Sequence, residues 1–228
     1  MSFRIEKKIF IKKEQLIEFK NFLFKKNLKQ IYKPRVVESI YFDNIDKKIY
    51  FDSLEGLSPR KKIRVRYYPE NKIKEYFLEH KISSVEGRFK KNNKITLDYF
   101  NYLINFGFFD SNYGICKPNL VVSYIREYFA KDDVRITFDT NINYNLFKKN
   151  IKKKDNNIIV ELKTSIKKDI DHLIKEFPFQ EIRFSKYCTV LNCFKIINLI
   201  YSVPIILEFA RKLWIIKLWK NFYLKFFF

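Results

Sequence analysis

Charged and apolar residues alternate in the segment KKIRVRYY, residues 61–68, and this pattern constrains the fold more than any other in the chain. Side chains alternate across a strand with a period of two, so Lys62, Arg64 and Arg66 would share one face and the apolar residues the other. Neighbouring cations would then lie about 6–7 Å apart and repel each other. Such a face either meets water or binds something strongly negative.

The same alternation recurs in six predicted strands, each with charged residues two apart. These strands cover residues 3–10, 61–68, 75–82, 120–129, 134–142 and 158–164. One such strand would suit a solvated edge, but six do not suit a sandwich, in which the inner faces are apolar. Predicted helices over 12–27 and 95–108 carry apolar stripes that need a surface to pack on. The prediction is an α+β fold: a closed antiparallel eight-stranded β-barrel forming a tunnel, with a charged interior and helices on the outside.

Other segments complete the predicted domain, which spans residues 1–200. Strands are predicted over 37–43 and 48–52, joined by a turn at 44–46, and a short helix over 166–177. The lysine-rich run 148–157 is predicted to be a solvated hairpin loop. Residues 201–228 are predicted to form a separate aromatic and basic helical tail.

The charge balance predicts a polyanionic partner. The 228 residues include 46 Lys and Arg but only 25 Asp and Glu, a formal net charge of +21. This excess fits nucleic acid, anionic lipid or a phosphate-rich small molecule. AT-rich codon usage is an alternative explanation for the scattered lysines, and a much weaker one for the arginines. A barrel interior of arginines, lysines and a few carboxylates would need a linear polyanion and, for the carboxylates, a divalent cation.

The cysteines, the histidines and the N-terminal sequence indicate the cellular compartment and the kinds of site to expect. The three cysteines form no C-x-x-C pair, and the two histidines are isolated, so neither a disulfide framework nor a zinc site is indicated. The N-terminus is charged and has no apolar run typical of a secretory signal. The longest uncharged run near the end, 196–207, is too short to span a membrane. The expected location is cytoplasmic.

Eight motifs of the chain resemble, in order, those of the VTC domain, a polyphosphate polymerase domain of the triphosphate tunnel metalloenzymes, or CYTH-like proteins. They are FRIEKKIF, SIYFDN, KKIRVRYY, FLEHKI, YIREYF, VRITFDTNI, VELKT and FSKY, within residues 3–195. The resemblance implies an eight-stranded antiparallel tunnel, in agreement with the fold argued from alternation.

The resemblance also implies site residues, position by position. The residues matching catalytic cations are Lys8, Arg64, Arg66, Lys81, Arg126, Arg135 and Lys186. Ser185 matches a serine close to the nucleotide and is expected to bind substrate. Arg4, Lys62 and Lys163 are also expected to bind substrate, because strand alternation puts them on the charged faces. Glu161 matches the metal-binding glutamate, and Glu6 is either a second metal contact or an ion-pair partner. The implied cofactor is Mn²⁺ or Mg²⁺.

Two positions depart from the pattern or leave it open. The first strand of the superfamily carries E-x-E-x-K, but this chain has Arg4 at the first glutamate. The missing carboxylate disfavours the two-metal triphosphatase and cyclase types. A further phosphate-binding lysine of the family falls within 83–94, where Arg88, Lys90 and Lys91 are all candidates.

The implied reaction transfers the γ-phosphoryl group of ATP onto a growing inorganic polyphosphate chain. Alternatives are a tripolyphosphatase of the same fold and a polyphosphate-binding sensor without catalysis. No nucleic-acid partner is expected, because such a binder would present cations with exposed aromatics on an outer surface. The tail 203–228 combines Trp and Phe with Lys and Arg, which fits either peripheral membrane contact or a helix packed on the barrel.

Overall fold

Ten antiparallel strands form one sheet in the computed structural model, which describes residues 4–165, 181–182 and 184–191. The strands are β1 (Arg4–Ile11), β2 (Lys29–Asp43), β3 (Arg60–Tyr67), β4 (Tyr76–Ser84), β5 (Gly87–Ile95), β6 (Phe108–Asp110), β7 (Gly114–Lys131), β8 (Val134–Leu146), β9 (Lys152–Asp155) and β10 (Ile158–Ser165). The helices are α1 (Leu16–Lys25), α2 (Lys48–Glu55) and α3 (Leu97–Phe106). The predicted α+β class is therefore confirmed.

The strand order is β1-β10-β8-β7-β2-β3-β4-β5, with β6 paired to β7 and β9 paired to β8. Strands β1 and β5 are the two edges, and no ladder joins them among the described residues. In a flat sheet these edges would lie seven spacings of about 4.8 Å apart. Instead the Arg88 Nη1 of β5 donates a hydrogen bond to the Glu6 carbonyl of β1 at 3.2 Å. The sheet is therefore strongly curled.

The prediction of a closed eight-stranded barrel is wrong in strand number and in closure. Two short strands, β6 and β9, extend the sheet to ten. The edges meet through an arginine side chain where a closed barrel would have a ladder of backbone hydrogen bonds.

Helix α1 packs on the apolar face of β1, β10 and β8, as the alternation predicts. Its Phe19 and Leu23 are buried there, and the Phe19 ring meets the Phe138 ring edge to face at 5.9 Å. The strand residues of this core are Ile9, Ile11, Ile136, Phe138, Ile158, Val160 and Leu162. Burying the apolar side of these strands leaves their charged side on the opposite face of the sheet.

Residues 48–52, predicted to form a strand, belong to helix α2. The buried Asp43 carboxylate at the end of β2 accepts from the backbone N–H of Ile49 at 3.0 Å and of Tyr50 at 3.1 Å. Both N–H groups lie in the first turn of α2, where no intrahelical acceptor is available. The cap outweighs the strand propensity of this aromatic and β-branched sequence.

Other differences concern lengths and short strands. The predicted helices over 12–27 and 95–108 exist but are shorter, and the predicted loop 148–157 contains β9. Strand β5 carries little apolar alternation and was not predicted. No helix within the described ranges is long and apolar enough to cross a membrane. The predicted helices over 166–177 and in the tail 203–228 lie outside the described residues.

The chain divides into two compact units, residues 1–188 and 189–228. All the side chains of the candidate site lie in the first unit.

Candidate anion-binding site

The sheet face opposite α1 carries charged side chains from both ends of the strand order, and we call it the inner face. Its cations are Lys8, Lys62, Arg64, Arg66, Lys81, Lys90, Arg126, Arg135 and Lys163. Its carboxylates are Glu6, Glu79, Asp139 and Glu161. Lys186, from the segment after β10, adds a further cation. Cations clearly outnumber carboxylates on this face.

The first group on the inner face is the Glu79 cluster, formed by Glu79, Arg64, Arg66 and Lys90. Arg64 lies opposite Glu79 in the β3–β4 ladder and donates to its Oε2 from Nε at 2.8 Å and from Nη2 at 2.5 Å. Lys90 donates to Oε1 at 2.7 Å, and an Arg66 nitrogen lies 3.8 Å from the same oxygen. Burial opposes ionisation of Glu79, but these three cations hold its pKa well below the usual range.

Hydroxyl groups fix the two arginines of the Glu79 cluster from the β2 and β7 side. Arg64 Nη1 donates to the Tyr41 hydroxyl at 2.9 Å, and Arg66 Nη2 donates to the Tyr124 hydroxyl at 2.9 Å. Burial alone would raise the pKa of Tyr41, but the nearby Arg64 and Arg66 lower it. The guanidinium groups are therefore held in fixed orientations by neutral acceptors that offset none of their charge.

Asp139 on β8 binds two further cations. Arg126, its partner across the β7–β8 ladder, donates from Nε to Oδ1 at 2.5 Å and from Nη2 to Oδ2 at 2.7 Å. Lys186 donates to Oδ2, and its ammonium lies 4.8 Å from the centre of the Tyr124 ring. Asp139 is fully buried, yet Arg126 and Lys186 overcome the effect of burial and lower its pKa.

The second group is the Glu161 cluster, formed by Glu161, Lys8, Arg126 and Lys163 around a buried carboxylate on β10. The nearest nitrogens lie farther away than in the Glu79 cluster: 3.2 Å for Lys163, 3.7 Å for Arg126 and 3.9 Å for Lys8. Burial opposes ionisation of Glu161, but Lys163, Arg126 and Lys8 hold its pKa well below the usual range. The carboxylate is charged, and its oxygens are only loosely engaged.

Glu6 lies beside the Glu161 cluster on β1. Its carboxylate is 3.9 Å from the ammonium groups of both Lys8 and Lys163. Burial and the neighbouring Glu161 raise the pKa of Glu6, but Lys81, Lys163 and Lys8 lower it by more.

These two carboxylates suit a metal held jointly with its substrate. No group of three or more His, Cys, Asp or Glu within the described ranges could hold a metal ion by itself. Mg²⁺ commonly binds through one or two carboxylates together with substrate phosphates. Glu161 and Glu6 supply that donor set, because both are ionised and neither is in tight contact with a cation.

Residues 184–188 are held against the sheet by hydrogen bonds to four strands, β1, β2, β3 and β7. Lys62 of β3 donates to the Ser185 hydroxyl at 2.9 Å, and Lys8 of β1 donates to the Phe184 carbonyl at 2.8 Å. The Tyr187 hydroxyl donates to the Asp43 carboxylate of β2 and accepts from Asn119 Nδ2 at 3.0 Å. These contacts place Ser185 and Lys186 beside cations from both ends of the sheet.

Two lysines of the inner face have an unfavourable environment for their charge. Burial and the nearby Arg64 lower the pKa of Lys81 well below that of a free lysine. Burial is also the main cause of the lowered pKa of Lys62. Glu6 and Glu161 offset the effect on Lys81 only in part. An added anion would therefore stabilise both ammonium groups.

The structure brings the residues predicted from the sequence together on this face, with Arg4 placed by backbone alone, opposite Ser165 at the start of β1. Arg135 lies near the start of β8, and its guanidinium is 5.2 Å from the centre of the Tyr128 ring. Among the open candidates, Lys90 contacts Glu79, whereas Arg88 reaches the β1 backbone and Lys91 lies on the other face opposite His80.

Sequence reasoning gave no role in the site to four residues that shape it: Glu79, Asp139, Tyr41 and Tyr124. Glu79 shares a strand face with Lys81, and Asp139 shares one with Arg135, so the alternation alone could have found both. The tyrosines gave no such signal, because a tyrosine on a strand fits a packed wall as well as a hydrogen-bonding role.

Comparison with known proteins places the chain in a family. The model of the VTC domain matches residues 3–115 and 105–195, which together make up most of the chain. No curated protein sequence matches at a significant level.

Solved structures share the fold at low sequence identity. A candidate adenylate cyclase from Bacillus halodurans is 13% identical with a TM-score of 0.57, and the match covers 81% of this chain and 95% of that one. A candidate adenylyl cyclase from Hippeastrum, described as having a dominant triphosphatase activity, is 12% identical with a TM-score of 0.53, covering 82% and 93%. A Pyrococcus horikoshii protein is 16% identical with a TM-score of 0.51, covering 85% and 99%.

Proposed function

The chain belongs to the VTC domain family, and we propose that it is a polyphosphate polymerase that transfers the γ-phosphoryl group of ATP to the end of an inorganic polyphosphate chain. The observation that carries the proposal is the excess of cations over carboxylates on the inner face. This excess calls for an extended polyanion threaded along the curled sheet. ATP and polyphosphate both meet that requirement.

The arginines of the Glu79 cluster would hold the phosphates of the nucleotide. Arg64 and Arg66 are always charged and can each span two phosphate oxygens. Their orientations are fixed by Glu79, Tyr41 and Tyr124, so little reorganisation is needed when substrate binds.

The remaining cations would stabilise charge on the transferring group and the growing chain. In phosphoryl transfer, the protein mainly positions the reacting groups and neutralises the charge of the phosphates. We assign that role to Lys8, Lys81, Arg126, Arg135 and Lys186. Substrate contacts are assigned to Arg4, Lys62, Lys163 and Ser185. An ionised terminal phosphate is itself the nucleophile, so no protein base is required.

Glu161, with Glu6 beside it, would hold Mn²⁺ or Mg²⁺. The bound cation would withdraw charge from the phosphate oxygens that it contacts. Glu161 suits this role because its oxygens lie at least 3.2 Å from the cations around it.

A second candidate is hydrolysis of short phosphate chains on the same face. It is favoured by the fold shared with the Hippeastrum protein, whose described activity is that of a triphosphatase. The two reactions differ in the acceptor, which is a phosphate in the polymerase and water in the hydrolase.

Product analysis distinguishes the candidates. Purified protein would be incubated with ATP and Mn²⁺, and products resolved on a gel stained for polyphosphate, with ADP and orthophosphate measured in parallel. The variants are Lys81→Met on the inner face and Lys91→Met on the other face, as a matched control. Long chains with ADP from wild type and Lys91→Met, but not from Lys81→Met, would support the polymerase. Orthophosphate without chains would support the hydrolase, and binding without turnover would leave a sensor.

A further inference from the structure

Near the start of β8, the Arg135 Nε and the Thr137 hydroxyl are buried without a hydrogen-bond partner among the described residues. Thr137 is only 2% exposed. A buried polar group that lacks a partner costs about 1–3 kcal/mol relative to a paired one. Valine has the same branched shape and strand preference without a hydroxyl, so packing alone gives no reason for threonine.

The Thr137 hydroxyl lies on the inner face beside the Glu161 cluster. Thr137 is opposite Glu161 in the β8–β10 ladder and opposite Tyr128 in the β7–β8 ladder. Directly opposite residues have Cβ atoms about 4.5–5.5 Å apart. Its neighbours two residues away along β8 are Arg135 and Asp139, which share its face.

The two unpartnered groups restrict the chemistry of what binds there. Arg135 Nε can only donate a hydrogen bond, so its partner must be an acceptor. A bare metal cation offers no acceptor and would be repelled by the guanidinium. The carboxylate of Asp139 on the same strand is already bound by Arg126 and Lys186. An anion with oxygens at intervals along β8 satisfies both donors.

We propose that Thr137 is a substrate-binding residue whose hydroxyl donates a hydrogen bond to a non-bridging phosphate oxygen, next to the phosphate held by Arg135. The inference rests on the proposed function and extends it, because it places a phosphate unit beside Glu161 on the β8 side. Thr137 would thus help to hold the anion at the point where Glu161 holds the metal.

Thr164 provides a matched control. Its hydroxyl is also buried without a partner in the described part of the chain, and the residue is only 1% exposed. It lies on β10 between Lys163 and Ser165, so it faces the apolar side of the sheet together with Leu162. The two threonines therefore share burial, strand geometry and an unpaired hydroxyl, and differ in the face that they occupy.

The test measures binding of inorganic tripolyphosphate by calorimetry, with thermal unfolding of the free protein, for wild type, Thr137→Val, Thr137→Ser and Thr164→Val. We expect Thr137→Val to weaken binding about tenfold or more, because a hydrogen bond to a charged group is lost. Thr137→Ser should bind within about threefold of wild type, and Thr164→Val should bind as wild type does. Free Thr137→Val should melt no lower than wild type, because an unpaired hydroxyl is removed.

Three results would overturn the inference. Wild-type affinity in Thr137→Val would contradict it while leaving the proposed function in place. A lower melting temperature of free Thr137→Val, with equal loss of affinity in Thr137→Ser, would assign Thr137 a structural role. Failure of wild type to bind tripolyphosphate would overturn the proposed function and this inference together.

Discussion

The Glu79 cluster and the Glu161 cluster both bury a carboxylate among cations, but they differ in how tightly the charges meet. Glu79 receives hydrogen bonds at 2.5–2.8 Å from Arg64 and Lys90. The closest cation to Glu161 is Lys163 at 3.2 Å, and the others lie at 3.7 and 3.9 Å. The same kind of residues therefore form a closed network on β3–β5 and an open one on β1, β7 and β10.

The difference indicates a division of labour between the two ends of the sheet. In the Glu79 cluster the carboxylate has a structural role, because its contacts with Arg64 and Arg66 orient both guanidinium groups without any ligand. In the Glu161 cluster the carboxylate is available for a ligand, and the unpartnered groups of Arg135 and Thr137 lie on the same side. A bound polyanion would therefore find the cations of the Glu79 cluster already oriented. At the Glu161 cluster it would itself supply the missing hydrogen-bond partners.

The largest expected effect is on catalysis, from Glu161→Gln. Removing the charge should lower Mn²⁺-dependent turnover by about a hundredfold or more, because a metal supplies several kcal/mol to the transition state. Activity should be measured across a Mn²⁺ titration. The control is Glu127→Gln, which removes a carboxylate of β7 paired with exposed Lys20.

Full activity of Glu161→Gln at the Mn²⁺ concentrations that saturate wild type would contradict the proposal that Glu161 binds the metal. Equal loss in Glu127→Gln would point to a general effect of lost charge. Either result would break the functional contrast between the two clusters.

The next effect is on stability, from Arg64→Met. It leaves the Glu79 carboxylate buried with weaker compensation, so the free energy of unfolding should fall by about 3–5 kcal/mol. The double variant Arg64→Met/Glu79→Gln should recover part of this loss, because the unpaired charge is also gone. Urea unfolding measures both differences.

Additive losses in the double variant would show that Glu79 and Arg64 stabilise the fold independently. In that case, tight charge pairing would not explain how the Glu79 cluster differs from the Glu161 cluster.

The sequence predicted the inner face well because alternation is a local property of each strand. Residues two apart on a strand, such as Arg64 and Arg66, share a face. Because the apolar side of each strand is buried, the cations of the strands with this pattern lie on the opposite face. The order of motifs placed Glu161 and Lys186 on that face too, although they are distant from Arg64 in the chain.

Closure and the choice between adjacent lysines depended on long-range geometry that alternation does not specify. Lys90 and Lys91 are equivalent in composition, and only the register of β5 on β4 directs Lys90 toward Glu79. The strand predicted over 48–52 failed for a related reason. Its cap, Asp43, lies on the preceding strand and has no signature within the segment itself.

A smaller effect is proton uptake when the polyanion binds. The pKa values of Lys62 and Lys81 are lowered in the free protein, mainly by burial. A group with a lowered pKa binds fewer protons folded than unfolded, so stability of the free protein should rise with pH between that pKa and about 10.4. Bound phosphate should raise both pKa values and draw protons from the buffer.

Calorimetry of tripolyphosphate binding near pH 8–9, in buffers of different ionisation enthalpy, measures the uptake. Lys81→Met should take up fewer protons, whereas Lys91→Met should match wild type. An observed enthalpy that does not depend on the buffer would contradict the proposal that these lysines meet the phosphates.

The smallest effect concerns the segment 184–188, which contacts Lys62 of β3 and Lys8 of β1 and is anchored by Tyr187. Tyr187→Phe removes a hydroxyl that donates to the buried Asp43, and should lower the free energy of unfolding by about 1–2 kcal/mol. The ring can keep its stacking on Tyr41 at 5.3 Å, so the loss stays modest. Polyphosphate should bind a few times more weakly, because Lys186 is less firmly placed against Asp139.

Tyr113→Phe is the matched control for this last variant. The Tyr113 hydroxyl donates to Asp52 at 2.8 Å and accepts from the Lys61 backbone N–H at 3.4 Å, and it has no inner-face side chain as a hydrogen-bond partner among the described residues. A similar stability loss with unchanged affinity is expected for it. If both variants changed affinity equally, the effect would come from stability alone. If only Tyr187→Phe weakens binding, the segment 184–188 helps to hold the polyanion between the two ends of the sheet, because it contacts Lys62 of β3 and Lys8 of β1.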